Sequence, residues 1–183
     1  MEKDMLADIR ETLLTQQQLR DIVAGLGAQI SADYADKNLL LVSVLKGSIV
    51  FMADLMRAVS VPCQIDFMAV SSYGAKATVS GNVKIVKDLD INLAGFDLLI
   101  VEDILDSGKT LSSILDILRT RDPKSIKICA LLDKPERRQS EIRADYVGAE
   151  IPDEFVVGYG LDYDEQYRNL PFVGVLKPEI YAS

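Results

Sequence analysis

Leu98-Leu-Ile-Val-Glu-Asp-Ile-Leu-Asp-Ser-Gly-Lys-Thr110 is the stretch from which this chain is best read. Its first four residues form a continuous apolar run, the pattern of a strand buried on both faces of a parallel sheet. Glu102 and Asp103 follow where that strand is expected to end. Asp106 to Thr110 make a polar turn, after which Leu111, Ile114, Leu115 and Leu118 recur at helical spacing. The order is strand, polar turn, amphipathic helix.

At the carboxyl end of a parallel strand, such a turn opens onto the crevice where ligands of α/β sheets bind. The first turn of the helix offers unpaired N–H groups and the positive end of its dipole, which suits a phosphate over Ser107, Gly108, Lys109 and Thr110. Paired carboxylates beside that cradle would repel the phosphate itself, so they are expected to face sugar hydroxyls or a divalent metal. Two other phosphate motifs are excluded. A Walker loop needs glycine where Asp103 stands, and both Gly-x-Gly pairs fail to continue, meeting Ile30 and Tyr163.

Outward from this stretch the same layout recurs. Leu39 to Val44 is a second apolar run, followed by Leu45-Lys-Gly-Ser48 and a helix expected to bury Ile49, Met52, Ala53 and Met56. Ile126 to Leu132 is a third, ending at Asp133-Lys134, with Asp122-Pro123 stopping the helix before it. Three strand ends thus carry Lys46, Glu102-Asp103 and Lys134, and they should share one crevice. Thr15-Gln-Gln-Gln18 has capping-box spacing for a structural helix along Leu19, Ile22, Val23, Leu26 and Ile30. Ile9 and Thr12 to Leu14 suggest an edge strand before it. Ser71 to Asn82 holds two Gly and three Ser between strand signals, the composition of a long loop.

Val101-Glu-Asp-Ile-Leu-Asp-Ser-Gly-Lys-Thr110 resembles the signature of type I phosphoribosyltransferases, which bind phosphoribosyl pyrophosphate. Lys134, Phe155-Val-Val-Gly-Tyr-Gly-Leu-Asp-Tyr163 and Tyr167-Arg-Asn-Leu170 narrow the likeness to the hypoxanthine (hypoxanthine-guanine) branch in a compact bacterial form. The resemblance runs from about Leu39 to the end of the chain. It implies a single α/β domain over 1–183 with a mostly parallel sheet flanked by helices. Residues from about 146 to 183, with the N-terminal segment, would form a small hood over the site.

The resemblance also assigns roles. Glu102, Asp103, Asp106, Ser107, Gly108, Lys109 and Thr110 would hold the phosphoribosyl group, with Asp106 as general base or acid at purine N7. Lys46, Gly47 and Arg168 would meet pyrophosphate, and the Leu-Lys-Gly-Gly-type turn of the family, here ending in Ser48, often holds a cis peptide. Ser72-Tyr73 matches the closing loop that shields the reacting sugar from water. Lys134, Phe155, Val156 and Asp162 would form the purine site, and Glu102, Asp103 and Asp162 the Mg²⁺ site. A dimer or tetramer follows from the same likeness. Hypoxanthine and guanine stay unranked, because the choice depends on acceptors around the 2-position.

Composition bounds these readings. The chain has 183 residues, 49% of them apolar, enough for one full core. It lacks histidine altogether, which removes Ser-His-Asp and Cys-His catalysis. Its net charge of −8 disfavours nucleic acid and anionic membranes, and favours a polyphosphate that arrives with Mg²⁺. The first residues lack a basic-then-apolar leader and no apolar run is long enough to span a bilayer, so a cytoplasmic location is expected. Cys63 and Cys129 read as buried free thiols. Two rivals remain: an RNA-binding regulator on the same fold, which would want a basic face, and a nucleotide-binding subunit without the catalytic carboxylate, which Asp106 opposes. Xanthine or uracil specificity is the nearer competitor.

Overall fold

The computed structural model describes residues 4–72 and 83–182. Its elements run β1 (Ile9–Leu14), α1 (Gln16–Asp33), β2 (Leu39–Leu45), α2 (Ile49–Ala58), β3 (Cys63–Ser72), β4 (Val83–Lys87), β5 (Asp97–Leu105), α3 (Lys109–Arg119), β6 (Ser125–Asp133), β7 (Tyr146–Glu150), β8 (Val156–Val157), β9 (Val173–Leu176) and α4 (Pro178–Tyr181). Among the described residues, six strands form one sheet in the order β4-β3-β2-β5-β6-β7. All neighbours are parallel except β4, which runs antiparallel to β3 at the edge. The fold is α/β, with helices on both faces.

The apolar runs are continuous because alternate residues feed two cores. Leu39, Leu41, Leu99 and Val101 pack beneath α1 and α2, while Leu40, Val42, Leu98 and Ile100 pack beneath α3. Each fully buried side chain of this size stabilises the fold by roughly 1.5–3 kcal/mol relative to exposure. Helix α3 buries the four residues its spacing predicts, Leu111, Ile114, Leu115 and Leu118. Helix α1 starts at a complete capping box, Thr15 Oγ1 accepting from Gln18 N at 3.2 Å and Gln18 Oε1 from Thr15 N at 2.8 Å.

Several expectations are corrected. Helix α2 buries Phe51, Met52 and Leu55, whereas Ile49 and Met56 are 48% and 38% exposed and Ala53 also faces outward. Nearly every residue from Ile49 to Met56 is apolar, so periodicity alone could not fix the phase. Strand β5 continues through Leu105, pairing Glu102 with Ala130 and Ile104 with Leu132, so the two carboxylates lie within the strand. Cys63 is only partly buried, unlike Cys129, and both thiols are free.

A second sheet stands beside the first in the order β1-β9-β8, antiparallel throughout. Tyr146, where the hood is expected to begin, instead opens β7 and extends the large sheet. The small sheet is fastened at both ends. Tyr167 Oη donates to Asp8 Oδ2 at 2.6 Å, and Tyr159 Oη donates to Asp54 Oδ2 of α2 at 2.5 Å. No helix forms over 164–169, where Asp164, Glu165 and Tyr167 have positive φ. No helix among the described residues is long and apolar enough to cross a membrane.

Candidate active site

The cradle forms where β5 gives way to α3. Gly108 caps the helix with φ 77°, a left-handed conformation that side chains rarely adopt, and Ser140 Oγ lies against its bare α-carbon. Lys109 N donates to Ser107 Oγ at 3.4 Å. A cavity of about 190 Å³ opens here, lined by Glu102, Asp106, Ser107, Gly108 and Thr110 among others. Its first-turn N–H groups have no partner within the helix, which suits an anion.

Glu102 and Asp103 occupy different compartments. Successive strand residues point to opposite faces, and Glu102 lines the cradle while Asp103 presses on the Lys46-Gly47 turn. A Cβ at Gly47 would overlap the Asp103 carboxylate, so any side chain there forces the carboxylate or the turn to shift. The Leu45–Lys46 peptide is cis. Ser48 is buried, its hydroxyl 2.6 Å from Ser43 Oγ and 2.5 Å from Val44 O. Burial drives the Glu102 pKa well above the ordinary glutamate value, and the neighbouring Asp103 charge adds to this. Burial likewise raises Asp103 to about 6, against the Ile104 N–H that donates to it at 2.8 Å.

Lys46 Nζ lies 3.1 Å from Glu165 Oε2, in the segment between β8 and β9. Both groups are exposed, so this pair is worth little and is readily exchanged for another anion. Arg168 donates from Nη1 to Gly160 O at 2.7 Å and lies 3.0 Å from Asp162 Oδ1, while its buried Nε has no hydrogen-bond partner. Asp162 also accepts from Glu165 N at 3.0 Å. Among the described residues no three carboxylates gather tightly enough to hold a metal by themselves. Glu102 and Asp103 are half-buried, Arg168 being a cation that acts on Asp103, and either carboxylate fits Mg²⁺ in its usual protein setting, in which one or two carboxylates share it with substrate oxygens.

On the other side of Asp106 a second cavity, about 400 Å³, is lined by Ile104, Lys134, Phe155, Val156 and Tyr181. Lys134 is 6% exposed and donates to Glu154 O at 2.6 Å. Burial pushes its pKa below the ordinary lysine value, and the Asp106 charge partly offsets this. Phe155 stacks on Tyr181 with centroids 4.7 Å apart and meets Tyr163 edge-on. Phe155 as a whole remains 36% exposed. Val156 pairs with Val175 while Leu176 N donates to Phe155 O. In an antiparallel ladder that makes Val156 a non-hydrogen-bonded pair, so its N–H and C=O point away from β9 toward an open edge. Asp106 lines both cavities, with Oδ1 3.2 Å from Arg137 Nε.

Of the predicted residues, Glu102, Asp106, Ser107, Gly108, Thr110, Lys134, Phe155 and Val156 line two adjoining cavities that meet at Ile104 and Asp106, whereas Lys46, Gly47, Asp103, Lys109, Asp162 and Arg168 line neither. Ser72 ends β3, whereas Tyr73 and the rest of the expected closing loop lie outside the described residues. Sequence reasoning missed Ile104, Arg137 and Tyr181 as lining groups. Ile104 reads as strand core and Arg137 as part of a solvated charged run. Tyr181 lies far along the chain, and only the packing of α4 against the small sheet brings it near.

Residues 10–164 match the family model described as the phosphoribosyl transferase domain, and the chain belongs to this family. It is 52% identical over 179 residues to the hypoxanthine-guanine phosphoribosyltransferase of Bacillus subtilis, covering 98% of this chain and 99% of that protein. It is 50% identical to part of the bifunctional protein TilS/HprT of Listeria monocytogenes, covering 99% of this chain and 28% of that protein. The crystal structure of a hypoxanthine phosphoribosyltransferase from Staphylococcus aureus superposes with a TM-score of 0.95 at 50% identity over the whole of both chains.

Proposed function

We propose that this protein is a hypoxanthine-guanine phosphoribosyltransferase of purine salvage. It moves the 5-phosphoribosyl group of phosphoribosyl pyrophosphate to N9 of hypoxanthine or guanine, giving IMP or GMP and pyrophosphate. The observation that carries this reading is the pair of adjoining cavities with Asp106 between them: a helix-start cradle on one side, and an aromatic pocket with a buried lysine on the other.

In this mechanism the N–H groups around Ser107 to Thr110 hold the 5′-phosphate. Phe155 and Ile104 bracket the base, Val156 presents its outward backbone to the base edge, and Lys134 donates to the 6-oxo group. Asp106 accepts the proton at N7 as N9 bonds to C1′ and the bond from C1′ to the pyrophosphate oxygen breaks. Lys46 leaves Glu165 for the departing pyrophosphate, and Arg168 donates to it in the bidentate fashion open to a guanidinium. Glu102 and Asp103, with Asp162 assisting, would hold Mg²⁺, which when bound supplies positive charge to the leaving group. The hood over the site is the β1-β9-β8 sheet, and a homodimer or homotetramer belongs to the same proposal.

Product formation from phosphoribosyl pyrophosphate, Mg²⁺ and each of hypoxanthine, guanine, xanthine, adenine and uracil tests this directly. Hypoxanthine and guanine should react. Adenine should be poor, because its amino group leaves the buried Lys134 donor unpaired at a cost of roughly 1–3 kcal/mol. Turnover of adenine or uracil at the hypoxanthine rate would defeat the assignment.

The raised Asp103 pKa gives a further expectation. Below about pH 6 its carboxyl is protonated and cannot ligate a metal; above it the carboxylate is available. Binding of the Mg²⁺ complex of phosphoribosyl pyrophosphate should therefore release protons near pH 6 and weaken on acidification, up to about tenfold per pH unit well below it. In the metal-free protein the sign reverses. A raised carboxyl pKa contributes stability that is lost as pH climbs from about 4 toward 6. Calorimetric titration in two buffers of different ionisation enthalpy reads the proton release, and equal heats at pH 6 would refute it.

A further inference from the structure

The loop that follows β6 does more than present Lys134. Arg138 is largely buried, and its guanidinium is committed to protein groups. Its Nε donates to Asp106 O at 2.9 Å, Nη1 to Ile142 O at 2.7 Å, and Nη2 to Leu105 O at 3.2 Å and to the Asp133 carboxylate. Next to it, Gln139 N and Ser140 Oγ donate to Ser107 O at 3.0 and 3.2 Å. Three successive carbonyls of the cradle, those of Leu105, Asp106 and Ser107, are thus gripped from behind.

The consequence follows from peptide geometry. In a planar trans peptide the carbonyl and the following N–H point in opposite directions. Fixing the carbonyls of Asp106 and Ser107 on the Arg138 side turns the N–H groups of Ser107 and Gly108 the other way. The cavity beside them is lined by Glu102 and Thr110 and not by Arg138, Gln139 or Ser140, which puts it opposite the gripping loop. Concave runs of N–H groups held in this manner bind phosphate.

We propose that Arg138, assisted by Ser140, is a positioning residue for the phosphoribosyl donor: it aims the cradle N–H groups at the 5′-phosphate without touching substrate. The inference rests on the function proposed above. Lysine cannot replace it, because an ammonium lacks the planar fork that serves several acceptors in fixed directions. Arg138→Lys keeps a cation beside Asp133 and so preserves the charge balance of that largely buried pair.

The experiment is direct calorimetric titration of phosphoribosyl pyrophosphate with Mg²⁺, alongside steady-state kinetics and thermal melts. Arg138→Lys should weaken donor binding and raise the KM for donor about tenfold, the loss expected for charge-assisted hydrogen bonds. The KM for hypoxanthine should move by less than about twofold, within the spread of neutral contacts. Methylguanidine added to Arg138→Ala should recover part of the donor affinity. If Arg138→Lys does not fold, Ser140→Ala decides the matter by raising the donor KM about threefold for one neutral hydrogen bond lost. Unchanged donor affinity, or a lowered melting temperature with both KM values intact, overturns the proposal. A wild-type protein that binds the donor yet converts no base sinks the enzyme reading and leaves this binding comparison standing.

Discussion

Asp106→Asn should lower kcat by about 10²- to 10⁴-fold, the range for losing a positioned proton acceptor, while donor affinity stays close to wild type. Asp106 is the titratable residue shared by both cavities, and its Oδ1 is buried without an aligned hydrogen bond among the described residues despite the Arg137 guanidinium 3.2 Å away. A carboxylate held that way keeps an acceptor free for N7. Asparagine preserves the shape and a carbonyl oxygen but cannot carry the proton. Because the cradle N–H groups come from the backbone, they should survive the change. Single-turnover rates with saturating donor, set beside donor titrations, separate the two effects. Near-full activity in Asp106→Asn would remove Asp106 from the proton-transfer role.

The second large effect is expected at Gly47. An alanine there drives its methyl into the Asp103 carboxylate, so either the Lys46 turn or the carboxylate must shift. Displacements of about 1 Å at a reacting centre cost on the order of 10²-fold, and kcat/KM for the donor should fall by about that much. Stability should suffer far less, because the overlap involves one half-buried side chain at the mouth of the sheet and none of the two cores. Kinetics combined with a melting curve checks this. Wild-type kcat/KM in Gly47→Ala would show that the contact between turn and carboxylate is irrelevant to pyrophosphate departure.

Much of this arrangement was legible in the residues. Central parallel strands announce themselves as unbroken apolar runs, and α3 carries a stripe with one solution. Helix α2 carries apolar residues nearly all round, so its phase is decided by the turn that launches it and by the hood beside it. The connection between β8 and β9 was the least readable part. Tyr159, Asp164, Glu165 and Tyr167 hold left-handed backbone without being glycine, a conformation imposed by tertiary contacts and invisible to local preference. Arg138 was hidden for another reason. A charged run reads as solvated, and partners that are main-chain carbonyls leave no trace in a sequence.

The opposed placement of Glu102 and Asp103 also bears on how this chain can change over generations. One carboxylate serves the cradle and the other the turn at Gly47, and only the odd-even alternation of β5 keeps them apart. Inserting or deleting a single residue upstream within β5 would exchange the two, sending each acid to its neighbour's side of the sheet. Substitutions along the strand can be absorbed by repacking, whereas a change of length by one cannot. The spacing of this strand is therefore expected to be held as a unit, with changes of length tolerated in the connections around it.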